Sequence, residues 1–126
     1  MNHLADRRDT RRVITGREFG ISFTLKGRPF RDVRIANLSV GGCLALVGAW
    51  NAGFFQHGAA LGDLVLLHPE LPKDPIIATV AFVLGGRTVG QAQEMVGVGI
   101  HFLCMEASTR EALEIWVGAA RDSQQA

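Results

Sequence analysis

The chain has little of what catalytic and metal sites are built from. Cys43 and Cys104 are its only cysteines, and no Cys-x-x-Cys occurs. Both lie in apolar runs, which points to buried free thiols rather than a disulfide or a metal centre. His3, His57, His68 and His101 lack the spacing of metal ligands; His101, within a strand-like run, reads as a packed or rim histidine. There is no lysine-bearing phosphate loop. Gly97-Val98-Gly99 lacks the third glycine of a dinucleotide fingerprint and falls inside a strand-like run instead of before a helix. Asn37 to Gly41 approaches a nucleophile elbow, but Asn stands where the first glycine belongs and a strand follows the serine. The sequence therefore predicts a non-enzyme that uses neither metal nor cofactor.

Formal charge is missing from Ile35 to Gly62. Asn37, Ser39, Asn51, Gln56, His57 and many glycines interrupt that stretch, whereas a membrane-spanning helix needs ~20 mostly apolar residues. No span is expected. No signal peptide is visible, because Arg7 to Arg12 occupy the place of its apolar core. A cytoplasmic protein follows. The 126 residues, 48% hydrophobic and 20% charged, suit one soluble domain with a modest core. Net charge is only +1, yet Arg7, Arg8, Arg11, Arg12, Arg17, Lys26, Arg28, Arg31 and Arg34 all precede Asn37. The amino-terminal third is thus basic and should attract an anion.

Residues 1–5 read as disordered, 6–120 as a single domain, and 121–126 as a tail. Asp6 to Val13 is a charged arm without apolar periodicity. Phe19, Ile21, Phe23 and Leu25 then alternate with small or polar residues, the period of a half-buried strand. Gly27-Arg28-Pro29 reads as a hairpin turn. Further strands are expected at Phe30 to Leu38, Cys43 to Val47, Leu64 to His68 (starting at Gly62-Asp63), Ile76 to Leu84 and Val96 to Leu103. Gly85-Gly86-Arg87 reads as a turn. Between Gly48 and Leu61 lies a connection carrying Trp50, Phe54 and Phe55, which either plug a barrel end or await a partner. Ser108-Thr109-Arg110-Glu111 has the form of a capping box. Leu113, Trp116, Val117 and Ala120 follow at helical spacing, a stripe for packing on the sheet or across the barrel mouth. The pattern predicts an all-β fold: a six-stranded antiparallel barrel with a C-terminal α-helix.

Two short motifs stand out. Arg7-Arg8-Asp9-Thr10-Arg11-Arg12 places guanidiniums four residues apart, at Arg7 and Arg11 and at Arg8 and Arg12. Such forks take phosphate bidentately and stack on purines; a solvated basic tail is the plainer alternative. Asn37-Leu38-Ser39-Val40-Gly41-Gly42 puts two short polar side chains on one face of an extended strand. They suit the edge of a planar heterocycle, or else an Asx or Ser turn at a strand end. Gly41 and Gly42 permit positive φ and close approach to a ligand.

Arg8-x-x-x-Arg12, one hairpin, and then Asn37-x-Ser39-x-x-Gly42 resembles the PilZ domain family. Gly62 to Leu67 looks like the family's middle strand, and Val96 to Phe102 like its last. The resemblance covers roughly Asp6 to Ala120. It implies a bacterial receptor for cyclic di-GMP, a nucleotide second messenger. Arg8 and Arg12 would hold phosphate and stack on guanine, with Arg7 and Arg11 serving in the alternative register. Asn37 and Ser39 would bond the guanine edge, with Gly42 as the motif glycine and Gly41 beside it. Asn37 stands where many members carry Asp, so it cannot offer a charge to the guanine N–H pair. Output would pass through an effector protein, because no second domain is present. The arm would be mobile until the nucleotide orders it. A PilZ-like module acting only through protein contacts, without nucleotide, is the competing expectation. A small barrel binding RNA or DNA is weakened because no aromatic row interleaves with the basic residues.

Overall fold

The computed structural model describes residues 12–16, 19–84 and 95–125. Its elements are β1 (Val13–Ile14), β2 (Gly20–Leu25), β3 (Arg28–Ser39), β4 (Gly42–Gly48), β5 (Ala60–Leu67), β6 (Ile76–Leu84), β7 (Met95–Cys104) and α1 (Ala107–Gln125). A 3-10 turn, Ala49–Phe54, follows β4. The strands are antiparallel in the order β1-β3-β2-β5-β6-β7-β4, and β4 pairs back onto β3. Strands β2 to β7 thus close a six-stranded barrel, and β1 is one extra strand on β3.

Alternation builds the walls. Ile21, Phe23 and Leu25 of β2 point into the core, as do Ile76, Ala78 and Val80 of β6 and Val96, Val98 and Ile100 of β7. Strand β3 departs from strict alternation. Its inward residues are Phe30, Val33, Ile35 and Leu38, spaced three, two and three apart. Each gap of three holds an extra residue: the register shifts against β2 between Phe30 and Val33, and against β4 between Ile35 and Asn37. Bulges of this kind bend a strand and re-aim its side chains. The second one leaves Asn37 on the outer face, although Ile35 and Leu38 both point inward.

Aromatic residues close the two ends. At one, Phe55 packs edge-on against Phe23 and Phe30, whose rings stack with centroids 5.2 Å apart. At the other, Trp116 of α1 sits edge-on to Phe19 at 5.1 Å and to His68 at 5.4 Å. Leu113 and Val117 of α1 are buried. The connection after β4 therefore divides its aromatics: Phe55 plugs, while Trp50 and Phe54 stay exposed.

Several local expectations move. The first hairpin turns at Lys26–Gly27, both with positive φ, so Arg28 and Pro29 already belong to β3. β5 begins at Ala60, before Gly62-Asp63. The helix is already under way at Ala107, and Arg110 N–H donates to Glu106 O, so Ser108 lies in the first turn and does not cap it. Thr109 is buried and its hydroxyl donates to Asp74 Oδ2. The stretch expected as a tail, 121–126, is helical through Gln125. Val13, the last residue of the expected arm, begins β1 and is buried in the core. Residues 1–5, most of the arm and the Gly85-Gly86-Arg87 turn lie outside the described residues.

Candidate functional site: the paired end of β3

Strand β1 brings the two motifs together. Val13 pairs with Leu38 and Ile14 with Asn37, on the edge of β3 that β2 leaves free beyond Arg34. Thr15 extends this seam: its N–H donates to Ala36 O and its hydroxyl to Ile35 O at 2.7 Å. On the far side of β1, the Gln124 carboxamide grips Ile14 twice. Its Oε1 accepts from Ile14 N–H at 3.2 Å, and its Nε2 donates to Ile14 O at 2.9 Å. The last turn of α1 thus acts as a substitute strand partner. So held, Arg12 donates from Nη1 to Asn37 Oδ1 at 2.7 Å. The guanidinium is exposed and Asn37 half-buried. A carboxamide oxygen has two lone pairs, so Asn37 can accept from Arg12 and still accept from a ligand N–H.

The other predicted residues form the turn into β4. Ser39 is buried, and its hydroxyl is spent inside the turn: it accepts from Gly41 N–H at 3.2 Å and donates to Gly42 O at 3.3 Å. Ser39 therefore fits the Ser-turn alternative. Neither Gly41 nor Gly42 has positive φ. Gly41 O accepts from Phe102 N–H. Gly42 is required by its neighbour in the barrel, since a Cβ there would meet Ile100 O at 2.1 Å. Close approach is indeed the reason for this glycine, but the approaching group is β7 backbone. Arg7, Arg8 and Arg11 lie outside the described residues, so of the arginine motif only Arg12 is seen against Asn37.

Two features lie beside the turn, a cleft and the buried thiol that the sequence led us to expect at Cys43. A cleft of about 350 Å³ runs between Val40–Gly41 and the end of β7, with exposed His101 and Arg110 on its rim. Beneath the site, Cys43 is buried opposite Leu38, and burial pushes its thiol up to about 12 against the opposing pull of Arg12. It is thus a packed thiol at neutral pH. Cys104, also expected to be buried, is exposed at the end of β7. Among the described residues no cluster of His, Cys, Asp or Glu could hold a metal ion, and no helix is long and apolar enough to cross a membrane. The arrangement offers a cation, a carboxamide and a rigid turn, which can bind a polar planar anion.

No family model matches the sequence, and no curated protein sequence matches it. Solved structures do. The chain superposes on MrkH of K. pneumonia in its apo state with a TM-score of 0.79 at 21% identity, covering 94% of this chain and 52% of MrkH. It superposes on the PilZ domain of YcgR from Escherichia coli, a structure with c-di-GMP, with a TM-score of 0.69 at 15% identity, covering 94% and 95% of the two chains. The MrkH–c-di-GMP complex gives 0.70 at 18%, covering 91% of this chain and 53% of MrkH. The chain thus spans about half the length of MrkH. A closed six-stranded barrel with an added strand and a terminal helix is the class these structures define. The chain has the PilZ fold.

Proposed function

We propose that the protein is a receptor and adaptor for cyclic di-GMP, without catalytic activity, that acts in the bacterial cytoplasm through an effector protein. The observation that carries this reading is the contact between Arg12 and Asn37, which joins the two motifs in one exposed polar site. The fold supports it, because MrkH and YcgR, which share the fold, have structures with c-di-GMP.

In this reading Arg12 turns its guanidinium from Asn37 alone to phosphate and guanine. Charge-assisted bonds to phosphate contribute about 1.5–3 kcal/mol each, and stacking on a base adds ~0.5–2 kcal/mol. Arg8 supplies the second guanidinium, with Arg7 and Arg11 beside it. Asn37 Oδ1 accepts from the guanine N–H edge. Ser39, Gly41 and Gly42 hold the turn in place and keep Asn37 at a fixed height above the sheet. Because β1 is clamped between β3 and Gln124, Arg12 is set before the nucleotide arrives, which lowers the entropy cost of binding. The competing module without nucleotide has no comparable use for an exposed guanidinium held on a carboxamide.

Calorimetric titration of the wild-type chain with cyclic di-GMP, with GMP as control, tests the reading. Saturable heat with the dinucleotide and none with GMP is expected. No heat at high micromolar dinucleotide would leave the protein-contact module as the better account.

A further inference from the structure

The opposite end of β3 is built differently. β3 and β4 pair from Ile35↔Ala45 to Ser39↔Gly42 and nowhere else. Before Ile35, β3 pairs only with β2; beyond Ala45, β4 pairs only with β7. The rungs that would continue the hairpin, between Arg31–Arg34 and Leu46–Gly48, are missing. A groove of about 490 Å³ lies in that wedge, lined by those same residues. Both of its walls are strand edges whose main-chain groups face no strand among the described residues. Such edges pair readily with another extended chain.

Three further observations point to an occupant. Asn51 lines the groove at 9% exposure, and its Oδ1 is buried without a hydrogen-bond partner. Buried polar groups in folded proteins are nearly always partnered, so an orphan acceptor calls for a donor. Arg31 and Arg34 are exposed on the β3 wall, and among the described residues neither side chain has an ion pair or hydrogen bond. Asp32 is the one acid in the wall, so the groove keeps a net positive charge. Finally, Trp50 is 79% exposed and its indole lies against Gly48 at the end of the β4 wall. Tryptophan and arginine are the residues on which protein interfaces concentrate their binding energy.

We propose that this seam is the docking site for an extended, acidic segment of a partner protein. The segment enters as an added strand. Its main chain bonds the free edge of β4 or β3. A main-chain N–H reaches Asn51 Oδ1, and its carboxylates face Arg31 and Arg34. Trp50 covers the end of the strand. A small anion could satisfy the arginines but not the row of main-chain groups, so the strand edges favour a peptide. This gives the adaptor reading its partner surface, and rests on that reading only in taking the partner to be a protein.

The test is a selection of short random peptides on the whole, nucleotide-free chain, followed by amide chemical-shift mapping of enriched peptides. Loss of nucleotide binding therefore cannot be mistaken for failure here. Enriched peptides should carry alternating acidic residues and shift amides of Arg31–Arg34 and Leu46–Gly48. The double variant Arg31→Glu/Arg34→Glu should weaken them at least about tenfold. Both arginines are exposed, so that variant should keep its fold, which its far-ultraviolet circular dichroism checks. Leu46→Pro, which removes a main-chain N–H that faces away from β7 and into the seam, should weaken them too; Trp50→Ala should do so less. Absence of enriched peptides, a footprint elsewhere, or indifference to the charge reversal overturns the proposal. So does slow hydrogen exchange of Leu46 and Gly48, whose amides face away from β7, in the free chain, which would mean that its own residues already fill the seam.

Discussion

One strand, β3, serves two purposes at its two ends. From Ile35 to Ser39 it has β4 on one edge and β1 with Thr15 on the other, and its polar side chains are engaged: Asn37 by Arg12, Ser39 by the turn. From Arg28 to Arg34 it has β2 on one edge and a groove on the other, with Asn51 unpartnered across it. The contrast teaches what strand pairing does for function. A fully paired segment can hold a few polar groups at fixed positions, which suits a small rigid ligand. A half-paired segment leaves a row of main-chain groups open, which suits a chain that brings its own. The bulge near Asn37 belongs to the first purpose, since it turns that side chain outward without opening the sheet.

The largest expected effect comes from breaking the paired end directly. Gly42→Ala would push a methyl into Ile100 O, and backbone on both strands leaves little room to yield. A loss of about 3 kcal/mol is expected, the upper end for overpacking, read by urea denaturation. A loss under ~1 kcal/mol would mean that β4 and β7 separate more easily than their continuous ladder implies.

Next is the clamp on β1. Gln124→Ala removes two hydrogen bonds to an exposed strand, worth about 1–2 kcal/mol together. Part of this should appear as faster hydrogen exchange at Ile14 and Thr15, with the barrel amides unchanged. If Ile14 exchanges as before, β1 is held by Val13 and β3 alone, and the helix end has no part in placing Arg12.

Smaller effects separate the two motif side chains. Ser39→Ala should cost ~1 kcal/mol of stability, because Gly41 N–H loses its acceptor, while leaving the preference between guanine and adenine cyclic dinucleotides intact. Asn37→Ala should do the reverse: little change in stability, and a fall in that preference, since edge contacts specify where phosphate contacts position. Equal loss of affinity for both dinucleotides in the Asn37 variant would make its contact structural.

Cys43 adds a pH dependence of known sign. Its thiol is raised from 9.0 to about 12 by burial, so its contribution is complete below pH 9 and is lost as pH rises from there toward 12. Stability should decline over that alkaline window, and Cys43→Ala should flatten the decline. An unchanged slope would point to other groups.

Much of the barrel was legible because its strands carry their own period. β2 alternates strictly, β6 is apolar and β-branched, and the two predict their limits to within a residue. The bulges of β3 went unread: Phe30 to Leu38 was expected as one plain strand, although Phe30, Val33, Ile35 and Leu38 are unevenly spaced. What stayed hidden depends on distant partners. Two-residue β1 has no period, and its pairing with β3 and the grip of Gln124 make it a strand. Ser39 and Gly42 look like ligand groups in isolation, yet their reasons are Gly41 and Ile100. The apparent capping box failed because the helix was already running one residue earlier, and Thr109 bonds Asp74 across the fold. Asn51 gave no sign, because a polar residue in a glycine-rich connection is ordinarily solvated. In the candidate site, residue types were readable from the sequence, while the local bonds of Ser39 and the close packing of Gly42 needed the fold.

The central claim is that nucleotide binds at the paired end of β3 and not at the open one. Its most direct test is a side-by-side calorimetric titration of cyclic di-GMP into the wild type, Arg12→Ala and Arg31→Ala. Saturable binding is expected in the wild type, weakened at least about tenfold, or ~1.4 kcal/mol, by Arg12→Ala and untouched by Arg31→Ala. Equal losses from the two arginines would contradict the claim and reduce the arm to general positive charge.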